Sequence, residues 1–290
     1  MKSTSLEVLF LIYYKRGEDM YNKALDAKKY IESKYKGNPK TAIILGSGLT
    51  SIIAELSDKI EMLYEDIPNF MVSTVKGHTS KLVYGKLDGK EVLIMSGRFH
   101  YYEGYSMKEI TFPIYVFKLL GIENLILTNS CGGINKDKVK PGSIMVVNDF
   151  INFMPTNPLI GENDERFGTR FPDMTEPYSI ALRNIAIETA NKLNIEYVEG
   201  VYASFMGPYY ETKAEVKMIK SFGSDAVGMS TVPETIVSNY LGIKTLAFAT
   251  ITNMATGIQK MKHSHENVVK VANLASKKLA SWIKEVVKEL

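Results

Sequence analysis

Three times along this chain an uninterrupted apolar run ends in a glycine turn. Thr41-Ala42-Ile43-Ile44-Leu45 leads into Gly46-Ser47-Gly48, Glu91-Val92-Leu93-Ile94-Met95 into Gly97, and Asn124–Thr128 into Asn129-Ser130-Cys131-Gly132-Gly133. Short runs of this kind, lacking the alternation of a half-solvated strand, fit strands buried on both faces. Helices covering both faces of a sheet bury such strands, and open sheets of that class gather ligands in the turns beyond the carboxyl ends of their strands.

The rest of the chain supplies the helices. Asp19–Tyr35, Leu49–Leu56, Ser106–Leu120, Pro177–Leu193, Thr212–Ser221, Val232–Leu241 and the stretch from Ser264 onward carry helical spacing or start signals. Ser106 and Glu109 have capping-box spacing, and Pro113 inside that helix predicts a kink or a late start. Lys81–Lys86 and Lys90–Met95 flank Asp88-Gly89 and read as a hairpin. Further strands are expected at Ser143–Asn148, Glu196–Ala203, Asp225–Ser230 and Lys244–Thr252. The fold class that follows is α/β, a single domain with a mixed, mostly parallel sheet covered by helices. No linker divides residues 20–290, and residues 1–19 read as an extension whose apolar run is too short to span a bilayer and lacks a signal-peptide cleavage site. Residues 152–177, with four prolines, form a long polar connection of the sort that serves a site or a subunit contact.

Bulk composition excludes several classes. Thirty-five Lys and Arg against 32 Asp and Glu give a formal charge of +3, too small and dispersed for nucleic acid. One cysteine rules out an internal disulfide framework and points to the reducing cytoplasm. The four histidines have neither HExxH nor CxxC spacing, so no metal site is expected. A dinucleotide site is disfavoured, because Gly46-Ser47-Gly48-Leu49-Thr50-Ser51 has serine where the third glycine of GxGxxG belongs.

The densest polar chemistry lies in Gly97-Arg98-Phe99-His100-Tyr101-Tyr102-Glu103-Gly104. A guanidinium fork there suits a phosphate or carboxylate, while the plain alternative is an Arg98–Glu103 pair in a solvated loop. Other candidates also carry ordinary readings. Ser47 can be a helix cap, His78 a surface loop residue, Glu211 a helix-start charge and Asn253 a turn residue.

In chain order, Leu45-Gly46-Ser47-Gly48-Leu49, Gly77-His78, the Gly97–Gly104 stretch, Thr128-Asn129, Gly132-Gly133, Asn163-Asp164-Glu165-Arg166-Phe167-Gly168, Gly207-Pro208, Tyr210-Glu211-Thr212, Ala226–Glu234 and Thr252-Asn253 resemble the trimeric purine nucleoside phosphorylases from about Met20 onward. The resemblance implies phosphorolysis of purine ribo- and deoxyribonucleosides to free base and pentose 1-phosphate, with inorganic phosphate as co-substrate and no cofactor. It implies a phosphate site of Ser47, His78, Arg98, His100, Ser230 and the Ser130 backbone. Tyr102, Met229 and His265 fall at the ribose, with Phe167 lent by the neighbouring subunit of a homotrimer. Tyr210, Glu211 and Asn253 fall at the base, and His100, Glu211 and Asn253 are the implied catalytic residues. Asparagine at 253 resembles the inosine- and guanosine-specific members, whereas the related methylthioadenosine phosphorylases carry aspartate there. Thr50, Ser130-Cys131 and Tyr210 depart from the usual glycine, Ala-Ala pair and phenylalanine, and the family role of Glu103, near the phosphate or His100, is unassigned.

Overall fold

The computed structural model describes residues 20–73, 80–259 and 264–290. Residues 1–19, His78 and the side chain of His265, for which the sequence carries expectations, lie outside the described residues. Helix α1 (Met20–Lys34) begins where the amphipathic pattern begins and buries Ala24, Ala27 and Ile31. The all-buried β1 (Thr41–Ile44) lies between β4 (Lys90–Ser96) and β5 (Asn124–Gly133), parallel to both. The Asp88-Gly89 turn joins β4 to its antiparallel neighbour β3 (Lys81–Leu87), as its sequence predicts.

The sheet continues through β6 (Ile144–Asn152), β7 (Val198–Ser204), β8 (Ala226–Gly228) and β9 (Lys244–Met254). β9 returns to pair with β5, so the five strands β5, β8, β7, β6 and β9 close into a ring. β5 belongs to both halves. Its first residues lie beside β1 and β9, and Gly132 and Gly133 pair with Val227 and Ala226 of β8. Closure removes two exposed edges and carries β5, β6 and β9 past the polar residues at which their strand signals end.

Helices cover both faces. α2 (Met107–Leu119) and α5 (Val232–Tyr240) belong to the face of α1, whereas α3 (Ile180–Lys192) and α6 (His265–Lys288) cover the other. A shorter α4 (Lys213–Ser221) packs with the ends of β7 and β8. Ser106 and Glu109 form the expected capping box, and α2 starts on time with Pro113 inside it. Residues 49–56 differ from expectation. Ser51–Glu55 make only a 3₁₀ turn, and Ser57–Leu63 then form β2, an edge strand antiparallel to β3. The turn is set by tertiary contacts, because Ser51 Oγ meets Ser276 Oγ of α6 at 2.6 Å.

Trp282 anchors α6. It is fully buried, its Nε1 donates to Ala186 O at 2.8 Å, and its ring centroid lies 4.8 Å from that of Phe248. Trp282→Phe removes that donor and part of the ring, so a loss of about 1–2 kcal/mol is expected in urea denaturation. No described helix is long and apolar enough to cross a membrane.

Candidate active site

Gly46 fixes the approach of the first turn to β5. A Cβ there would lie 2.8 Å from Asn129 Cα, so only glycine lets the chain pass this close. Ser130 Oγ donates to Ser47 O at 2.9 Å and ties the two turns together. The cleft beside them, about 780 Å³ out to its open mouth, is lined by Ser47, Arg98, His100, Ser130 and Ser230 among others.

Arg98 is 2% exposed. Its Nη1 donates to Thr128 O at 2.7 Å and to Ser230 Oγ at 3.1 Å. Its Nε lies 3.0 Å from Glu234 Oε1. The Arg98–Glu103 pair, the plain reading of the sequence, does not form, because Glu103 faces His100 instead. Glu103 Oε1 accepts from the His100 backbone N–H at 2.8 Å and lies 3.2 Å from His100 Nδ1, and Oε2 accepts from Ser73 Oγ at 3.3 Å. Burial lowers the His100 pKa against the opposing effect of Glu103, so the imidazole is neutral at pH 7. Facing an acceptor-only carboxylate, Nδ1 carries the hydrogen and Nε2 keeps its lone pair. The His100 ring stacks on Tyr102, with centroids 4.7 Å apart.

Gly207, at φ +66, brings the sugar candidates together. A Cβ there would sit 2.5 Å from Met229 Sδ and 3.0 Å from Tyr102 Cδ1. Both side chains line the cleft.

The same cleft is also lined by Tyr210, Glu211 and Asn253. Asn253 Oδ1 accepts from Thr252 Oγ1 at 3.0 Å, and its Nδ2 donates to Met254 O at 3.3 Å. Glu211 is 5% exposed, and its Oε1 is buried with no hydrogen-bond partner among the described residues. Desolvation, with a smaller push from Glu215, raises its pKa from 4.5 to about 7. Its alternative reading as a helix-start charge is not what α4 uses, since Thr212 and Glu215 form that capping box.

Most of the candidates thus meet in one cleft. Phe167 does not join them, being 7% exposed and packed against Tyr115 and Tyr21 of its own chain at 4.9 and 5.6 Å. Two contributors were missed as individual residues. Glu234 sits in the first turn of α5, where a carboxylate reads as a dipole partner. Asn129 lines the cleft and donates to Thr231 Oγ1 at 2.9 Å, although nothing local marks it for a role.

A family model described as the phosphorylase superfamily matches residues 40–288, and the chain belongs to that superfamily. Within it, the chain is 46% identical over 264 residues to purine nucleoside phosphorylase 1 of Geobacillus stearothermophilus, covering 91% of this chain and 96% of that one. A Schistosoma mansoni purine nucleoside phosphorylase solved with adenosine superposes with a TM-score of 0.88 at 35% identity, covering 93% of this chain and 97% of that one. A schistosoma purine nucleoside phosphorylase solved with hypoxanthine gives 0.87 at 35% identity and the same coverage. The chain is a pentosyltransferase of the purine nucleoside phosphorylase family.

Proposed function

We propose that the cleft performs reversible phosphorolysis of purine (deoxy)ribonucleosides, preferring the 6-oxopurines inosine and guanosine. One observation carries this reading: a single cleft is lined by a buried guanidinium with hydroxyl neighbours and by a buried carboxylate whose Oε1 has no hydrogen-bond partner among the described residues. Phosphate lies against Arg98, Ser47, His78, His100, Ser230 and the Ser130 backbone; the guanidinium holds it by charge-assisted bonds, and the neutral His100 accepts at Nε2 from a protonated phosphate oxygen. One phosphate oxygen attacks the anomeric carbon as the glycosidic bond breaks, and the bonding pair leaves on the purine. Donors and acceptors at the base then act by stabilising that departing charge more than the ground state.

Glu211 Oε1, ionised, accepts from N1–H of a 6-oxopurine. The Asn253 amide addresses the O6 and N7 edge, and Tyr210 covers the ring. Tyr102, Met229 and His265 bracket the pentose, and Phe167 closes the pocket of a neighbouring subunit in a homotrimer. That last role requires the ring to leave the Tyr21 and Tyr115 contacts it makes within one chain. The protein works in the cytoplasm with phosphate as co-substrate and no cofactor.

Inosine, guanosine and methylthioadenosine assayed with and without phosphate test this reading. Hypoxanthine release that depends on phosphate and exceeds adenine release from methylthioadenosine by at least about tenfold is expected. A preference for methylthioadenosine would transfer the protein to the related phosphorylases, and no base release with phosphate present would remove the enzymatic reading.

A further inference from the structure

We infer that Glu234, which lies outside the cleft lining, is the positioning residue that holds the Arg98 guanidinium ready for phosphate. The inference rests on the proposed phosphate site and adds to it the group that orients its principal cation. A guanidinium keeps its charge at any accessible pH, so one buried this deeply needs an opposite charge nearby. The side chains of Arg98 and Glu234 are 2% and 6% exposed, and Nε meets Oε1 at 3.0 Å. Glu103, the carboxylate nearest in sequence, is turned to His100.

A strained turn presents Glu234 and Ser230 to the same guanidinium. Thr231 has φ +74 and ψ −48, and Val232 N–H bonds back to Ser230 O at 2.8 Å, which makes a positive-φ γ-turn centred on a β-branched residue. Such a conformation persists only where its surroundings enforce it. Here Asn129 Nδ2 holds Thr231 Oγ1 at 2.9 Å, and Ser204 Oγ donates to Ser230 O at 3.1 Å. The turn starts α5 with Ser230 Oγ on Arg98 Nη1 and Glu234 on Nε. With Thr128 O, the Nη1 bonds set the plane of the fork, and the Glu234 ion pair, close at 3.0 Å but off the N–H axis, holds its position from the protein side before any anion arrives.

Orientation and simple charge predict opposite results. A carboxylate behind the guanidinium repels phosphate, so on charge alone Glu234→Gln would tighten phosphate binding. If Glu234 orients the fork, the same substitution weakens it. The test is titration of the full-length protein with inorganic phosphate by calorimetry, alongside steady-state KM values for phosphate and inosine. For Glu234→Gln we expect phosphate Kd and KM to rise at least about tenfold, with the inosine KM within about twofold of wild type and kcat at saturating phosphate less affected than the phosphate KM. Unchanged or tighter phosphate binding would overturn the inference, as would equal rises in both KM values. If Glu234→Gln does not fold, Glu234→Asp carries the test. Its charge is kept but its reach is shortened, so phosphate binding should weaken severalfold with the inosine KM unchanged, and wild-type phosphate binding would overturn the inference. Failure of the wild type to release base from inosine would remove the proposed function while leaving the calorimetric result to judge Glu234.

Discussion

Arg98→Ala is expected to lower kcat/KM for phosphate by about 10³-fold, since two charge-assisted bonds of about 2 kcal/mol each are lost with the fork. The same substitution strips Glu234 of the partner it meets at 3.0 Å. Leaving that buried carboxylate uncompensated is expected to cost about 3–5 kcal/mol of stability in urea denaturation. Arg98→Lys separates the two effects. An ammonium restores charge but not the planar fork that spans Thr128 O, Ser230 Oγ and Glu234. Most of the stability should therefore return while phosphate turnover stays at least about tenfold low. Full recovery of turnover with lysine would mean that the site needs only a positive charge, and unchanged phosphate kinetics in Arg98→Ala would move the phosphate site elsewhere.

Arg98 also marks what could be read in the sequence and what could not. Its importance was legible, because a guanidinium between two glycines at the end of an apolar run is an unusual loop composition. Its partner was not legible, since the obvious carboxylate, Glu103, is five residues away in sequence yet bonds His100, while Glu234 arrives from the start of a distant helix. Strands followed the same rule. β1, β4 and the first half of β5 announce themselves by apolar runs whose pattern is local. β2, with Ser57, Asp58, Lys59 and Glu61 exposed, has no such signal and exists through its pairing with β3. The last residues of β5 and β9 are strand because the ring closes there. Caps were readable at Ser106, Thr212 and Ser264 because a capping bond spans three residues. The positive φ of Thr231 was unreadable, as threonine is among the residues least suited to it.

Glu211→Gln is expected to move activity and stability in opposite directions. The amide keeps the shape but loses the charge, so kcat/KM for inosine should fall about 30–100-fold, the worth of about 2–3 kcal/mol from a hydrogen bond to a charged acceptor. In the wild type the acceptor must be ionised, so kcat/KM for inosine should decline on the acid side of a pKa near 7 and level off above it. That inflection should be absent in Glu211→Gln. For stability the sign reverses. Burial raises the folded-state pKa from 4.5 to about 7, so the folded protein holds this proton more tightly than the unfolded chain does. The resulting stabilisation is complete below about pH 4.5 and is lost as pH rises through 7. At pH 8 the ionised carboxylate therefore costs on the order of 3 kcal/mol relative to a neutral group. Glu211→Gln should be more stable than wild type in urea at pH 8, and the advantage should disappear near pH 4.5. Equal stability at pH 8, or an activity profile that keeps its inflection, would show that Glu211 is already compensated and is not the acceptor awaiting a base. The predicted trade has a direct physical source. A carboxylate with one oxygen buried and without a hydrogen bond among the described residues destabilises the fold, and a ligand bearing an N–H at that point removes the penalty when it binds.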